Sequence, residues 1–316
     1  MAADSTEAFR SLVRAEGRRL YRDLPWRRTR DPYRIWLSEV MLQQTQVARV
    51  EQRMPAWLDR FPTIEALAAA PVADVLAAWQ GMGYNRRALA LRQAACDVVE
   101  RHGGIMPRDA AALRALPGIG PATAQGIRSF AFDLPGVYLE TNVRTVFLHH
   151  FFPDVPGVPD RELVPLIEAT CPGPMPEAAE RDGGAETARF ALPQDAEDTP
   201  RAWYYALLDY GAQLKKELPN PSRRSAGYTR QSRFEGSRRQ KRAEIVRILL
   251  DAHRDGHGLA LEEVIGALDR VERAASRPPV EAKLVEELLD VLVAEGFCAV
   301  DGDAAAGADG RVWAIA

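Results

Sequence analysis

With 316 residues, of which 47% are hydrophobic, the chain is long enough for two domains or for one large helical domain with an appendage, which sets aside disordered and fibrous classes. A formal net charge of −3 argues against a nucleic-acid partner, and three widely spaced cysteines, Cys96, Cys171 and Cys298, fit neither a disulfide framework nor the spacing of a zinc or iron–sulfur site. No apolar run approaches the roughly 18 to 20 residues that cross a bilayer, so the expectation is a cytoplasmic protein with no membrane partner and reduced thiols.

In chain order, residues 33–50 place Ile35, Leu37, Val40, Met41, Leu42 and Val47 within a helical period, and 64–80 and 85–101 do the same with alanine and leucine. Segments 109–116 and 121–132 flank a glycine turn, and a further helix is expected at 140–150. Residues 171–200, rich in Pro, Gly, Ala and acidic side chains, read as an insertion, after which Trp203 to Leu214 form an aromatic helical segment. From Ser237 onward, helical runs at 238–253, 259–269 and 280–295 precede two short apolar stretches, Phe297 to Val300 and Val312 to Ala316. That pattern predicts a winged-helix-like appendage. Charge is uneven. Ten basic residues crowd 215–242, while Glu281, Glu286, Glu287, Asp290 and Glu295 face a single Lys283 in the last helix, the wrong sign for a DNA groove and a better fit to packing or protein contact.

Three motifs carry chemistry. Leu116-Pro117-Gly118-Ile119-Gly120-Pro121-Ala122-Thr123-Ala124 sets two glycines before a helix whose positive end opens at the same spot, which suits a phosphate and equally suits a plain helix–turn–helix connection. In Trp36-Leu37-Ser38-Glu39-Val40-Met41-Leu42-Gln43-Gln44-Thr45, Glu39 either faces solvent or is desolvated enough to keep a proton at neutrality. A protonated carboxyl can convert a purine into a good leaving group, and Gln43 and Gln44 can fill the gap left by a flipped base. Glu140, in Leu139-Glu140-Thr141-Asn142-Val143-Arg144, either caps a helix or supplies the second carboxylate that an oxocarbenium-like sugar requires.

The stretch 25–47 (PWRRTRDPYRIWLSEVMLQQTQV), the run Gly81-Met82-Gly83-Tyr84-Asn85-Arg86-Arg87-Ala88, the glycine hairpin at 116–124 and the block 139–146 follow the order and spacing of the MutY-type adenine glycosylases of the helix-hairpin-helix (HhH-GPD) superfamily, which residues 7–235 resemble. The resemblance implies a mainly α, two-lobed glycosylase fold in residues 1–236, with the winged-helix-like domain in 237–316. It implies a catalytic acid in Glu39, a sugar-facing carboxylate in Glu140 with Asn142 beside it, and residues that wedge into DNA in Gln44 and Tyr84. Gln43, Asn85, Arg86, Gly118, Gly120, Thr123, Arg144, Arg223, Arg224 and Arg230 complete the expected DNA contacts. The expected function is monofunctional excision of adenine mispaired with guanine or 8-oxoguanine by a monomer acting on double-stranded DNA at the nucleoid. The alternatives are a mismatched or modified pyrimidine, or a non-catalytic DNA-binding relative.

This sequence departs from the family's pattern at several points. Glu140 replaces an aspartate, Asn85 stands in place of a second tyrosine, and Ala122 stands where bifunctional relatives carry a Schiff-base lysine. The four cysteines expected after Gly211 are missing and a basic segment takes their place, so no iron–sulfur cluster and no other metal is expected beyond an alkali cation that the resemblance implies at the hairpin. Nor does the C-terminal pattern look like the NUDIX-like reader of the opposing base found in typical members.

Overall fold

Cap residues decide where many of the helices begin. Asp31 accepts a hydrogen bond from the Tyr33 amide and is followed by Pro32, whose missing N–H costs nothing at a first helical position. Asp109, Thr199 and Ser237 close the first turns of later helices in the same way. In the computed structural model, residues 3–173, 198–230, 233–301 and 311–316 are described. They form α1 (Ala3–Leu20), α2 (Pro32–Leu42), α3 (Val47–Arg60), α4 (Ile64–Ala69), α5 (Val72–Trp79), α6 (Arg86–His102), α7 (Ala110–Ala115), α8 (Pro121–Phe132), α9 (Thr141–Phe151), α10 (Asp160–Thr170) and α11 (Pro200–Glu217). There follow α12 (Arg238–Arg254), β1 (Leu259–Ala260), α13 (Leu261–Ala274), α14 (Ala282–Ala294), β2 (Cys298–Asp301) and β3 (Val312–Ile315). Most of the insertion expected at 171–200 lies outside the described residues.

Two expected helices are split. The 33–50 stretch breaks after Leu42, because Gln43 turns to ψ 109° and Gln44 to φ +54° before α3 restarts. The 64–80 stretch breaks at Ala70, which the ring of Pro71 drives out of the helical region.

Two compact units result: residues 1–44 with 105–230, and 45–104 with 231–316. The core of the first is built from Phe9, Val13, Ile35, Phe130, Phe147, Trp203 and Leu207. Here α11 packs on α1 and α9, and α2 packs on α8. Gly17 lets α1 approach α11, since a Cβ there would lie 2.3 Å from Cβ of Ala206. A buried bidentate pair, Arg27 to Asp209 at 2.6 and 2.8 Å, fixes α11 against the turn before α2, with the Arg27 guanidinium 4.4 Å from the Tyr205 ring centroid.

In the second unit Trp57 and Trp79 meet edge to face with centroids 5.3 Å apart, and α12 lies against α5. Its strands form an antiparallel sheet in the order β1-β3-β2, with Trp313 opposite both Leu259 and Val300. From α12 to β3 the succession is α-β-α-α-β-β. The acidic α14 region has a local explanation. Glu287 pairs with Arg238 at 3.0 Å, Glu295 with Arg242, and Glu286 with Arg311, while Glu272 of α13 takes Lys241 at 3.2 Å.

Candidate active site

Glu39 does not lie on a solvent face. It is half-buried on the side of α2 that meets α8, and at that point α8 carries Gly126. A Cβ on Gly126 would stand 2.3 Å from Oε2 of Glu39 and 3.0 Å from the Tyr138 ring, so the carboxyl fills space that any other residue would occupy. The Tyr138 hydroxyl donates to Glu39 Oε2 at 2.8 Å. Tyr138 is itself fixed, since its amide donates to the Tyr204 hydroxyl at 3.2 Å and its ring meets Phe130 edge-on at 5.2 Å. Removal from water pushes the Glu39 carboxyl up to about 8; the Tyr138 bond pulls the other way and the charge of Glu140 adds to the rise. At neutral pH the group therefore holds its proton.

Glu140 caps α9. Its Oε1 accepts the amides of Asn142 and of Val143, the latter at 2.9 Å. Burial pushes this carboxyl up, while those two amides and the charges of Lys215 and Arg144 pull it down. Lys215 arrives through helix packing: Gly211 of α11 sits so close to α9 that a Cβ would be 2.2 Å from the carbonyl oxygen of Asn142, and Lys215 lies one turn further along the same face. Asn142 Oδ1 is buried and has no hydrogen-bond partner among the described residues. One unit thus holds a proton-bearing carboxyl, a second carboxyl whose neighbours favour its charge, and an unfilled acceptor.

The glycine motif joins α7 to α8. Gly118 takes φ +75°, Gly120 caps α8 with an extended backbone and Pro121 opens the helix, so both exposed glycines leave amides at its positive end. Thr123 is buried and accepts from Gln43 Nε2 at 3.2 Å, which ties the end of α2 to this hairpin. An alkali cation implied there would take backbone carbonyl oxygens, because the turn 116–124 contains no carboxylate.

The expected DNA contacts fall in different settings. Gln44 is exposed at the end of its segment in a left-handed conformation that non-glycine residues seldom adopt, and in the other unit Tyr84 does the same at φ +50° with 41% of its surface exposed. Asn85 is half-buried ahead of α6, and Arg86 is exposed, 3.5 Å from Glu295. Arg144 is held bidentately by Asp160 at 3.0 and 2.8 Å. Arg223 and Arg230 are exposed, whereas Arg224 is built into the fold, donating to the Leu148 carbonyl at 3.3 Å and accepting the Val158 amide at 2.8 Å.

A four-cysteine cluster does not fit this chain, which contains three cysteines placed on α6, after α10 and in β2. Among the described residues there is no group of three or more His, Cys, Asp or Glu side chains arranged for a metal, and no helix is long and apolar enough to cross a membrane. Tyr138, Gly126, Gly211 and Lys215 belong to the site although no motif announces them; an isolated glycine inside a helix is the one trace they leave in sequence.

Comparison with solved structures shows a likeness of fold. A thermostable thymine-DNA glycosylase aligns with a TM-score of 0.53 and 23% identity over 67% of this chain and 88% of that one. The family model of the HhH-GPD superfamily of base excision DNA repair proteins matches residues 37–162. The chain is 46% identical over 126 residues to the adenine DNA glycosylase of Mycolicibacterium smegmatis, covering 40% of this chain and 43% of that protein. It is 44% identical over 134 residues to the adenine DNA glycosylase of Homo sapiens, covering 40% of this chain and 24% of that protein. The chain therefore spans less than half the length of either curated relative.

Proposed function

We propose that this chain is a monofunctional DNA glycosylase that hydrolyses the N-glycosidic bond of adenine mispaired with guanine or 8-oxoguanine in duplex DNA. The observation that carries the reading is Glu39, a carboxyl raised to about 8 and held at Oε2 by Tyr138, leaving Oε1 to present the proton to a base nitrogen. Protonation weakens the bond to the sugar, and the departing base leaves positive charge at C1′. Glu140, whose carboxyl burial pushes up while two amides and Lys215 offset part of that rise, opposes that charge in its ionised form. Asn142 Oδ1 has its acceptor site open to a hydrogen of the attacking water, whose released proton restores a carboxyl. Strand cleavage through a lysine on the hairpin has no counterpart, because Ala122 stands there. Gly118, Gly120 and the first amides of α8 suit a DNA phosphate, and the exposed Arg223 and Arg230 suit the backbone beyond it.

The test is a panel of duplexes that each hold one mispair or modified base, with excision read as alkali-dependent nicking. Adenine opposite guanine or 8-oxoguanine should be excised. Excision confined to a pyrimidine would replace the substrate assignment, and no excision from any duplex would leave a DNA-binding relative.

A further inference from the structure

The Gly81–Tyr84 turn is held from below by its own unit. Trp79 Nε1 donates to the Gly83 carbonyl at 3.0 Å, and Arg87 Nη2 donates to the carbonyls of Met82 and Gly83, both at 2.9 Å. The Arg87 guanidinium lies 5.6 Å from the Tyr84 ring centroid, and Arg49 donates to the Gly81 carbonyl at 3.3 Å. These contacts determine the backbone of the turn and the root of the tyrosine. Its tip is reached from much further along the chain: Arg239 Nη1, in the first turn of α12 and 155 residues away in sequence, donates to the Tyr84 hydroxyl at 3.1 Å.

Arg239 stands on a firm base. Ser237 caps α12, α12 packs on α5, and its neighbours Arg238 and Arg242 pair with Glu287 and Glu295, while Glu295 also lies 3.5 Å from Arg86. The C-terminal segment therefore both supports the turn and adds positive charge to a surface already bearing Arg49, Arg86 and Arg87. An aromatic ring with its hydroxyl tethered and 41% of its surface open is suited to stacking on a base, and the arginines around it suit the adjoining phosphates.

We propose that Arg239 is a positioning residue for Tyr84, through which the C-terminal winged-helix-like segment shapes the turn that meets DNA. The proposal rests on the glycosylase reading for its substrate, and its test has an arm that does not. In the full-length protein without DNA, Arg239→Ala should speed amide exchange at Arg87 and Ala88, whose amides bond to the carbonyls of Tyr84 and Asn85, by at least about fivefold, with Arg239→Lys between the two. Unchanged exchange would overturn the proposal. On an adenine-mispair duplex, Arg239→Ala and Tyr84→Phe should each slow single-turnover excision by about tenfold, and the double variant should lose no more than either single one. Additive losses, or full activity of Arg239→Ala, would likewise overturn it. If the unaltered protein excises nothing, the glycosylase reading falls and the exchange arm still decides whether Arg239 positions Tyr84.

Discussion

Glu39 titrates at about 8 in the folded chain against an ordinary value of 4.5, so between those two pH values the native state binds a proton that the unfolded chain has released. Stability must then fall as pH rises through that window, by about 1.4 kcal/mol per unit and on the order of 3 kcal/mol by pH 7. Glu39→Gln removes the titration while keeping a side chain of the same shape. That variant should be more stable than the parent at pH 7, with the gain shrinking toward pH 5, and should excise its base at least about a hundredfold more slowly. Denaturant unfolding at the two pH values and single-turnover kinetics check both halves. In the parent, excision should decline as pH rises past about 8, because the donor is then ionised; a rate still climbing at pH 9 would remove Glu39 from the role of acid. Both carboxylates could be singled out in the sequence because each stands in a dense local motif. Tyr138, which holds Glu39 from 99 residues away, could not, since a hydroxyl that finds its partner only in the tertiary fold leaves no local pattern.

At the level of the element, α8 shows how a helix gives way to the residue it serves. A glycine inside a helix is worse than alanine by about 1 kcal/mol, so Gly126→Ala would stabilise an isolated α8. Here the added methyl would meet Glu39 Oε2 at 2.3 Å and Cδ at 2.9 Å. The expected outcome is a variant that loses stability and most of its excision, and whose melting temperature recovers when Glu39→Ala is added, because the truncated side chain vacates the space. A Gly126→Ala protein as active and stable as its parent would show that α2 and α8 are not packed this closely. The hairpin before α8 was legible from Gly118, Gly120 and Pro121, whose backbone demands are local. The break at Gln43 and Gln44 was not: the apolar period continues through it to Val47, and the helix ends through the backbone alone, at Gln43 with ψ 109° and at Gln44 in the left-handed region.

For the whole molecule, the acidic total of −3 and the basic run at 215–242 are reconciled by pairing. Much of that run after residue 237 faces acids of the C-terminal helices, through Arg238–Glu287, Lys241–Glu272 and Arg242–Glu295, and is therefore not free positive surface. Arg223 and Arg230 remain exposed and Arg239 stands at the Tyr84 turn, so these three and not the whole run should contribute to the salt dependence of the proposed DNA binding. The three helices and terminal hairpin could be read from periodicity, but their attachment could not. Contacts such as Tyr84–Arg239 and Arg86–Glu295 join segments far apart in sequence, and the second compact unit is assembled from both. A chain ending at residue 230 would strip α12 from α5, where Leu76 and Trp79 are buried. Uncovering that apolar surface and losing the Glu295 and Arg239 contacts should loosen residues 45–104 while the unit of 1–44 and 105–230, with its own core, stays folded. Limited proteolysis should then cut first within 45–104 at a temperature where the full chain resists. Equal protection of that segment in both proteins would mean that the C-terminal residues are dispensable to the unit they complete.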